Sequence, residues 1–172
     1  MKKKIILDCD PGHDDAVAIM LASANNDIDV LGITCVAGNA TLVNTTNNAL
    51  KICSLIGATN IPIFAGADKP LKYELVTAEH VHGKSGLDTD GKPINITDGY
   101  NIQKIHAVDF IINTCHQQNE PIYLCPVGPL TNIALALKKD PTIKSKIKEI
   151  VFMGGAATVS YTHLTLPTKR IV

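Results

Sequence analysis

The 172-residue chain has no excess of charge, since 16 lysines and arginines balance 16 aspartates and glutamates. It also has no clustered basic stretch. That argues against nucleic acid and anionic membrane as main partners, because both are held by concentrated Lys and Arg. Long apolar runs are missing too. The start, Lys2-Lys3-Lys4-Ile5-Ile6-Leu7, has the outline of a secretory leader, but its apolar run stops at Asp8. A leader needs roughly 7–15 apolar residues. Nothing later is long enough to span a bilayer. The cysteines, Cys9, Cys35, Cys53, Cys115 and Cys125, are odd in number, scattered, and form no C-x-x-C. Most sit inside apolar runs. They read as buried free thiols, which fits a reducing compartment. The expected location is the cytoplasm.

What is present fits one globular α/β domain. Hydrophobic residues make up 45% of the chain, and the mean hydropathy is +0.14. Strand-like and helix-like segments alternate. Ile5–Leu7, Val30–Val36, Ile61–Ala65, Ile122–Cys125 and Ile150–Met153 read as strands. Between them, helical spacing places Val17, Met20, Leu21 and Ala24 on one face, then Ala49, Ile52, Cys53 and Ile56, with Gly57 ending the helix. Ile105, Val108, Ile112 and Cys115 mark another helix. Pro129 suits the first turn of a further one, whose inner face is Leu130, Ile133, Ala134 and Leu137. The polar segment 66–101 has no clear period, and loops of that length are usually functional or carry small irregular elements. The order predicts an open, mainly parallel sheet with helices on both faces. Ligands of such sheets bind beyond the carboxyl ends of the strands. The polar residues cluster there: Asp8 and Asp10, Asn39, the loop with His80 and His82, Val127-Gly128, and Met153-Gly154-Gly155.

The densest feature is Asp8-Cys9-Asp10-Pro11-Gly12-His13-Asp14-Asp15, four carboxylates in eight residues directly after an apolar strand. Like charges crowded there repel and are costly to desolvate. A D-P-G turn leading into a helix N-terminus accounts for Asp14 and Asp15 without any ligand. It does not account for Asp8 and Asp10, which precede the turn. A hard cation does. Carboxylates without Cys or paired His favour Ca²⁺ or Mg²⁺ over Zn²⁺. The EF-hand pattern is absent, lacking Gly at the sixth loop position and Glu at the twelfth. His80 and His82 lack a third ligand for zinc. His13 is assigned to orienting the turn, and His106 and His116 to the surface. Asp8-Cys9-Asp10 also matches the D-x-D of haloacid-dehalogenase-like phosphatases, with Asp8 as nucleophile. Gly12, however, stands where those carry Thr or Val.

Taken with Val36-Ala37-Gly38-Asn39, His82-Gly83-Lys84-Ser85-Gly86-Leu87, Pro126-Val127-Gly128-Pro129-Leu130-Thr131-Asn132-Ile133-Ala134 and Met153-Gly154-Gly155, the acidic stretch resembles the inosine/uridine-preferring nucleoside hydrolase family over about residues 3–160. The resemblance implies a Rossmann-like nucleoside hydrolase fold and cleavage of the N-glycosidic bond of purine or pyrimidine ribonucleosides to ribose and free base. It implies Ca²⁺ held by Asp10, Asp15 and the backbone carbonyl of Val127. Asp10 would also be the general base acting on a water whose pKa the cation lowers. The water would attack C1′ through a transition state resembling an oxocarbenium ion. Asp14, Asn39, His82 and the backbone near Met153 would bind the ribonucleoside. Asp8 would support the metal ligands from behind.

The chain departs from the family at its end. Members continue past the Met-Gly-Gly strand to a loop giving a Glu and an Asn to the ribose, and later to a His-Asp pair. Here Tyr161 to Val172 has neither helical nor strand period. The expectation is residues 1–160 as the N-terminal part of a truncated domain, with 161–172 an artefactual or disordered tail. Truncation would leave apolar surface uncovered, so the chain as written is expected to be inactive and poorly soluble. A non-catalytic ribose- or Ca²⁺-binding remnant is the remaining alternative. The full-length family member is expected to be a homodimer or homotetramer.

Overall fold

A computed structural model describes residues 2–87 and 94–154. Gly155 and the segment 161–172 lie outside the described residues. The chain runs β1 (Lys3–Cys9), α1 (His13–Ala24), β2 (Ile28–Cys35), α2 (Leu42–Leu55), β3 (Ile63–Ala65), α3 (Glu79–His82), α4 (Ala107–Gln117), β4 (Ile122–Pro126), α5 (Thr131–Lys139), a 3-10 helix (Pro141–Lys146) and β5 (Ile147–Ile150). The five strands form one sheet in the order β3-β2-β1-β4-β5. Every pairing is parallel. The predicted α/β class is therefore the observed one.

Strand alternation distributes the core between two layers. Leu7, Cys9, Ile33, Cys35 and Ile63 face α1 and α2, where they meet Ala16, Ile19, Ala49, Ile52 and Cys53. Ile6, Ile122 and Leu124 face the other way, against Val108, Ile111 and Cys115 of α4 and Ile133 and Ala136 of α5. β1 is the central strand and is buried from Ile5 to Cys9. The chain leaves β1 toward β2 and β3 on one side and returns through β4 and β5 on the other. The connections part between β1 and β4, which opens a crevice at their carboxyl ends.

Some local expectations are corrected. α1 does not bury Val17 and Leu21, which are 53% and 67% exposed. It buries Asp15, Ala16 and Ile19. The cause is polar: the Asp15 side chain is held inward by the backbone N–H of Gly12. That bond rotates the helix so that its apolar face is set by a carboxylate. The last strand comes earlier than expected, at Ile147–Ile150 rather than Ile150–Met153. A register shift against β4 accompanies it, although Val151 and Met153 still donate to Leu124 and Pro126. Ile105 precedes α4 and is 51% exposed. The segment 66–101 is mostly irregular but contains α3. In contrast, α2 buries Ala49, Ile52 and Cys53 as expected, although Ile56 falls just past the helix and is 36% exposed. Gly57, at φ +71°, follows its end.

The phase of α1 is testable. Ile19 is fully buried, so Ile19→Ala should cost about 2–5 kcal/mol. Leu21→Ala should stay within about 0.5 kcal/mol. Urea unfolding of both variants checks this, and the reverse ranking would restore the phase expected from sequence.

Candidate active site

Register places the first carboxylate. Asp8 is paired with Thr34 on β2 and with Pro126 on β4. Its side chain points to the α4–α5 layer and has no exposed surface. Its Oδ1 accepts from Thr34 Oγ1 at 2.5 Å and from Asn132 Nδ2 at 2.8 Å. Asn132, at the start of α5, also donates to the Cys35 carbonyl and accepts from the Ala67 N–H. One buried amide thus joins β1, β2, the segment after β3 and α5. Thr34 and Asn132 are the supporting residues that sequence reasoning gave no role. The available signal was parity: Thr34 is a polar residue on a strand that alternation buries.

Asp10 lies just past the end of β1 and is 5% exposed. Its Oδ2 accepts from the backbone N–H of Asn39 at 2.7 Å. Asn39 Nδ2 in turn donates to the Asp10 carbonyl at 3.1 Å and to Asp15 Oδ2 at 3.5 Å. Gly38 and Gly128 close in on the Asp10 carboxylate from two sides. A Cβ on Gly38 would collide with Oδ2, and one on Gly128 with Oδ1. Those glycines follow β2 and β4, so the carboxylate sits in a backbone cradle at the crevice. Asp15 is 2% exposed and accepts from Gly12 N–H at 3.3 Å. The capping expectation therefore holds for Asp15, whereas Asp14 is exposed.

Three buried carboxylates in one place carry an electrostatic cost. Burial pushes the Asp8 carboxyl up to about 7 and that of Asp15 to about 6, the latter helped by the charge of Asp14. Asp10 is raised by burial and then by Asp15. Asp8 Oδ2 and Asp15 Oδ1 are buried with no hydrogen-bond partner. Among the described residues the ion pairs are His116–Asp140 and Lys139–Asp109, both away from this cluster. The donor set is all oxygen, which fits a hard cation. Also among the described residues, no group of three or more His, Cys, Asp or Glu is arranged to hold a metal. Asp10 and Asp15 are a pair of buried carboxylates at the crevice.

The other anticipated residues stand around this pair. Val127 follows β4, and its N–H donates to the Asp8 carbonyl at 2.8 Å. Met153 lies alongside, donating its N–H to Pro126, while its side chain is 61% exposed. His82 ends α3, and its ring would meet a Cβ on Gly12 at 2.8 Å. Its Nδ1 lies 3.3 Å from His13 Nδ1, with the rings stacked. Desolvation lowers the His82 pKa, against the charge of Asp14. Asp10, Asp14, Asp15, Asn39 and His82 are therefore brought to one rim. His106 instead caps α4 through its ring, and His116 meets Asp140 at 2.7 Å. A cavity of about 520 Å³ lined by Leu42, Gly66–Leu71, His106 and Leu135 contains none of these site residues.

A sheet that is all-parallel among the described residues, with a carboxylate pair at its switch point, defines a class, the open-sheet α/β proteins, whose ligands bind beyond the carboxyl ends of the strands. Comparison with known proteins narrows it. The sequence model of the inosine-uridine preferring nucleoside hydrolase family matches residues 5–165. The pyrimidine-specific ribonucleoside hydrolase RihB of Escherichia coli K12 is 48% identical over 155 residues, which is 90% of this chain and 48% of the relative. Among solved structures, a purine-preferring ribonucleoside hydrolase from Gardnerella vaginalis superposes with a TM-score of 0.82 at 35% identity, covering 91% of this chain and 50% of that one. A plant nucleoside hydrolase gives 0.83 at 34%, covering 91% and 49%. The chain belongs to the inosine-uridine preferring nucleoside hydrolase family, and it spans about half the length of these relatives.

The buried acids make a pH prediction for the cation-free chain. Asp8 and Asp15 titrate near 3.8 when unfolded and near 7 and 6 when folded. Between those values the folded state binds more protons. Stability is thus fully present below about pH 4 and falls as pH rises to 7, by about 1.4 kcal/mol per pH unit for each proton by which the two states differ. Asp8→Asn keeps an acceptor for Thr34 and Asn132, and should flatten that fall. Unfolding midpoints from pH 4 to 7.5 check it. An equally steep fall in the variant would contradict the assignment to Asp8.

Proposed function

We propose that this chain carries the cation- and ribose-binding part of a ribonucleoside hydrolase site, with Asp10 as general base. The observation that carries the reading is the Asp10–Asp15 pair: both buried, Asp10 held in a glycine cradle, and Asp15 Oδ1 lacking a partner. Asp10, Asp15 and the Val127 carbonyl are the proposed ligands of Ca²⁺. When bound, the cation would hold the ribose diol and lower the pKa of a neighbouring water.

Further roles in the site fall to the chain's own residues. Asp10 is fixed at Oδ2 by the Asn39 N–H, and its Oδ1 lies against Gly128. It takes a proton from the attacking water. The water oxygen bonds to C1′ as the C1′–N bond breaks, that electron pair leaves with the base, and the base takes a proton from solvent while Asp10 returns its own to solvent. Asn39, able to donate and accept, and the exposed carboxylate of Asp14 bind ribose hydroxyls. His82 faces the nucleoside, and the backbone near Met153 lines the sugar. Asp8 holds the end of β1 in place from inside the fold.

The phosphatase alternative loses ground to the burial of Asp8. A nucleophile must reach phosphorus, and Asp8 has no exposed surface and a doubly bonded Oδ1. Relatives with pyrimidine and purine preferences both match, so the substrate class proposed is ribonucleosides at large. A cytoplasmic role in nucleoside salvage, and a homodimer or homotetramer for the full-length protein, belong to the same proposal. Five free cysteines support the reducing compartment. Among the described residues no helix is long and apolar enough to cross a membrane.

Turnover is proposed for the family-length polypeptide. For the 172-residue chain the expected outcome is Ca²⁺ binding without detectable base release from uridine or inosine. Calorimetric titration with Ca²⁺, beside a reducing-sugar assay, tests this. Loss of Ca²⁺ binding in Asp15→Asn supports the ligand assignment, and undiminished binding overturns it. Base release that a chelator abolishes would show the chain to be sufficient for catalysis. Phosphate release from nucleotides would favour the phosphatase.

Gly128→Ala provides a separate check. Its Cβ would displace the Asp10 carboxylate without removing any donor, so Ca²⁺ affinity should fall by about 10–100-fold, as for other supports of metal ligands. Unchanged affinity would mean that the cradle is not part of the cation site.

A further inference from the structure

Helix α2 contains a sequence that helices disfavour, Asn44-Thr45-Thr46-Asn47-Asn48. Asn and Thr compete with the helical backbone or lose rotamer freedom in it. Asn44 and Asn48 are four residues apart and share a face. Both donate to the loop that follows α3. Asn44 Nδ2 reaches the Lys84 carbonyl at 3.2 Å, and Asn48 Nδ2 reaches that of Ser85 at 2.9 Å. Asn48 goes further, because the same nitrogen donates to the Pro11 carbonyl at 3.0 Å. Pro11 lies in the turn between Asp10 and Asp15. Asn48 is 2% exposed, so one buried amide bridges the acidic turn and the loop after His82.

The surroundings fit this bridge closely. Gly86 takes φ +80°, and a Cβ there would meet Ala40 Cβ at 2.9 Å and Asn48 Nδ2 at 3.3 Å. The other end of the segment is tied by Ala78 N–H to the Asn39 carbonyl at 3.0 Å. His82 lies between these two ties, with its ring against Gly12 and His13. The loop is thus anchored on both sides of the histidine, once to Asn39 and once through Asn48.

We propose that Asn48 is a positioning residue that locks the loop 82–87 onto the Asp10–Asp15 turn, so that His82 and the two carboxylates face the sugar in one fixed arrangement. The functional part rests on the hydrolase reading above. The mechanical part does not, and the test separates them. Amide hydrogen exchange by NMR on the cation-free 172-residue chain comes first. In the wild type both Asn48 Nδ2 protons are expected to be protected, and rapid exchange of either overturns the proposal without any variant.

Asn48→Leu keeps the volume and removes both donations, to the Pro11 and Ser85 carbonyls. The Gly83, Gly86 and Ala16 amides should then exchange about tenfold faster or more, while core amides such as Ile33 change far less. The His82 ring resonances should shift as its stacking on His13 changes. Asn44→Ala should speed exchange in the loop but not at Ala16. Uniform acceleration of all amides, or none, would mean that Asn48 only packs, and would overturn the proposal. Ca²⁺ titration of Asn48→Leu then addresses function, with affinity expected to drop about tenfold. A wild type that binds no Ca²⁺ counts against the hydrolase reading and leaves the exchange data to decide the role of Asn48.

Discussion

The structure depends on keeping three carboxylates, Asp8, Asp10 and Asp15, inside a fold that otherwise buries apolar side chains. An ionised carboxylate out of water is costly unless donors or a cation compensate. The surroundings of the crevice answer that cost in stages. The register of β1 against β2 brings Thr34 beside Asp8. α5 begins with Asn132, whose amide reaches the same oxygen. The backbone N–H groups of Asn39 and Gly12 serve Asp10 and Asp15. The parting of the connections between β1 and β4 leaves room for what these donors do not supply.

The same constraint determines which parts of the molecule are legible in the sequence. Strand β1, the parallel order and the inner face of α2 follow from hydrophobic period, because apolar packing decides them. The face of α1 does not follow. Counting apolar residues selects Val17 and Leu21, but the inward bond of Asp15 selects Ala16 and Ile19. β5 departs from its expected place for a related reason. Ile150–Met153 is the more apolar run, yet its residues are exposed beyond Ile150, and the ladder begins earlier at Ile147. Where a polar bond or a register shift sets geometry, hydrophobicity gives the wrong phase.

The candidate site shows a similar division. Asp10 is legible because a carboxylate after a buried strand is costly to a fold unless a ligand meets it there, Asn39 because it falls on the same rim of strand ends, and Asp15 through the family resemblance of the acidic stretch. Thr34, Asn48 and Asn132 are not, because a single Thr or Asn carries no chemistry until its partner is known. Their signals are indirect. Thr34 is a polar residue on a buried strand. Asn48 belongs to a helix with too many Asn and Thr for its own good, which points to a demand from outside the helix.

The choice of donors around Asp8 bears on the cation reading. Thr34 and Asn132 satisfy its Oδ1 with neutral groups, although a lysine would neutralise the charge outright. A lysine there would place a positive charge two residues from Asp10 along β1, in a medium where water screens little. It would lower the affinity of the Asp10–Asp15 pair for any cation. Neutral amide and hydroxyl donors stabilise Asp8 without that penalty, and burial raises its pKa, which limits the negative charge it adds. Asp8 is thus held by neutral donors inside the fold, while Asp10 and Asp15, whose carboxyls burial also raises, stand at the crevice, where the proposed cation would favour their ionised forms. Neutral donors behind, and an Asp15 Oδ1 without a partner in front, support the cation site proposed here.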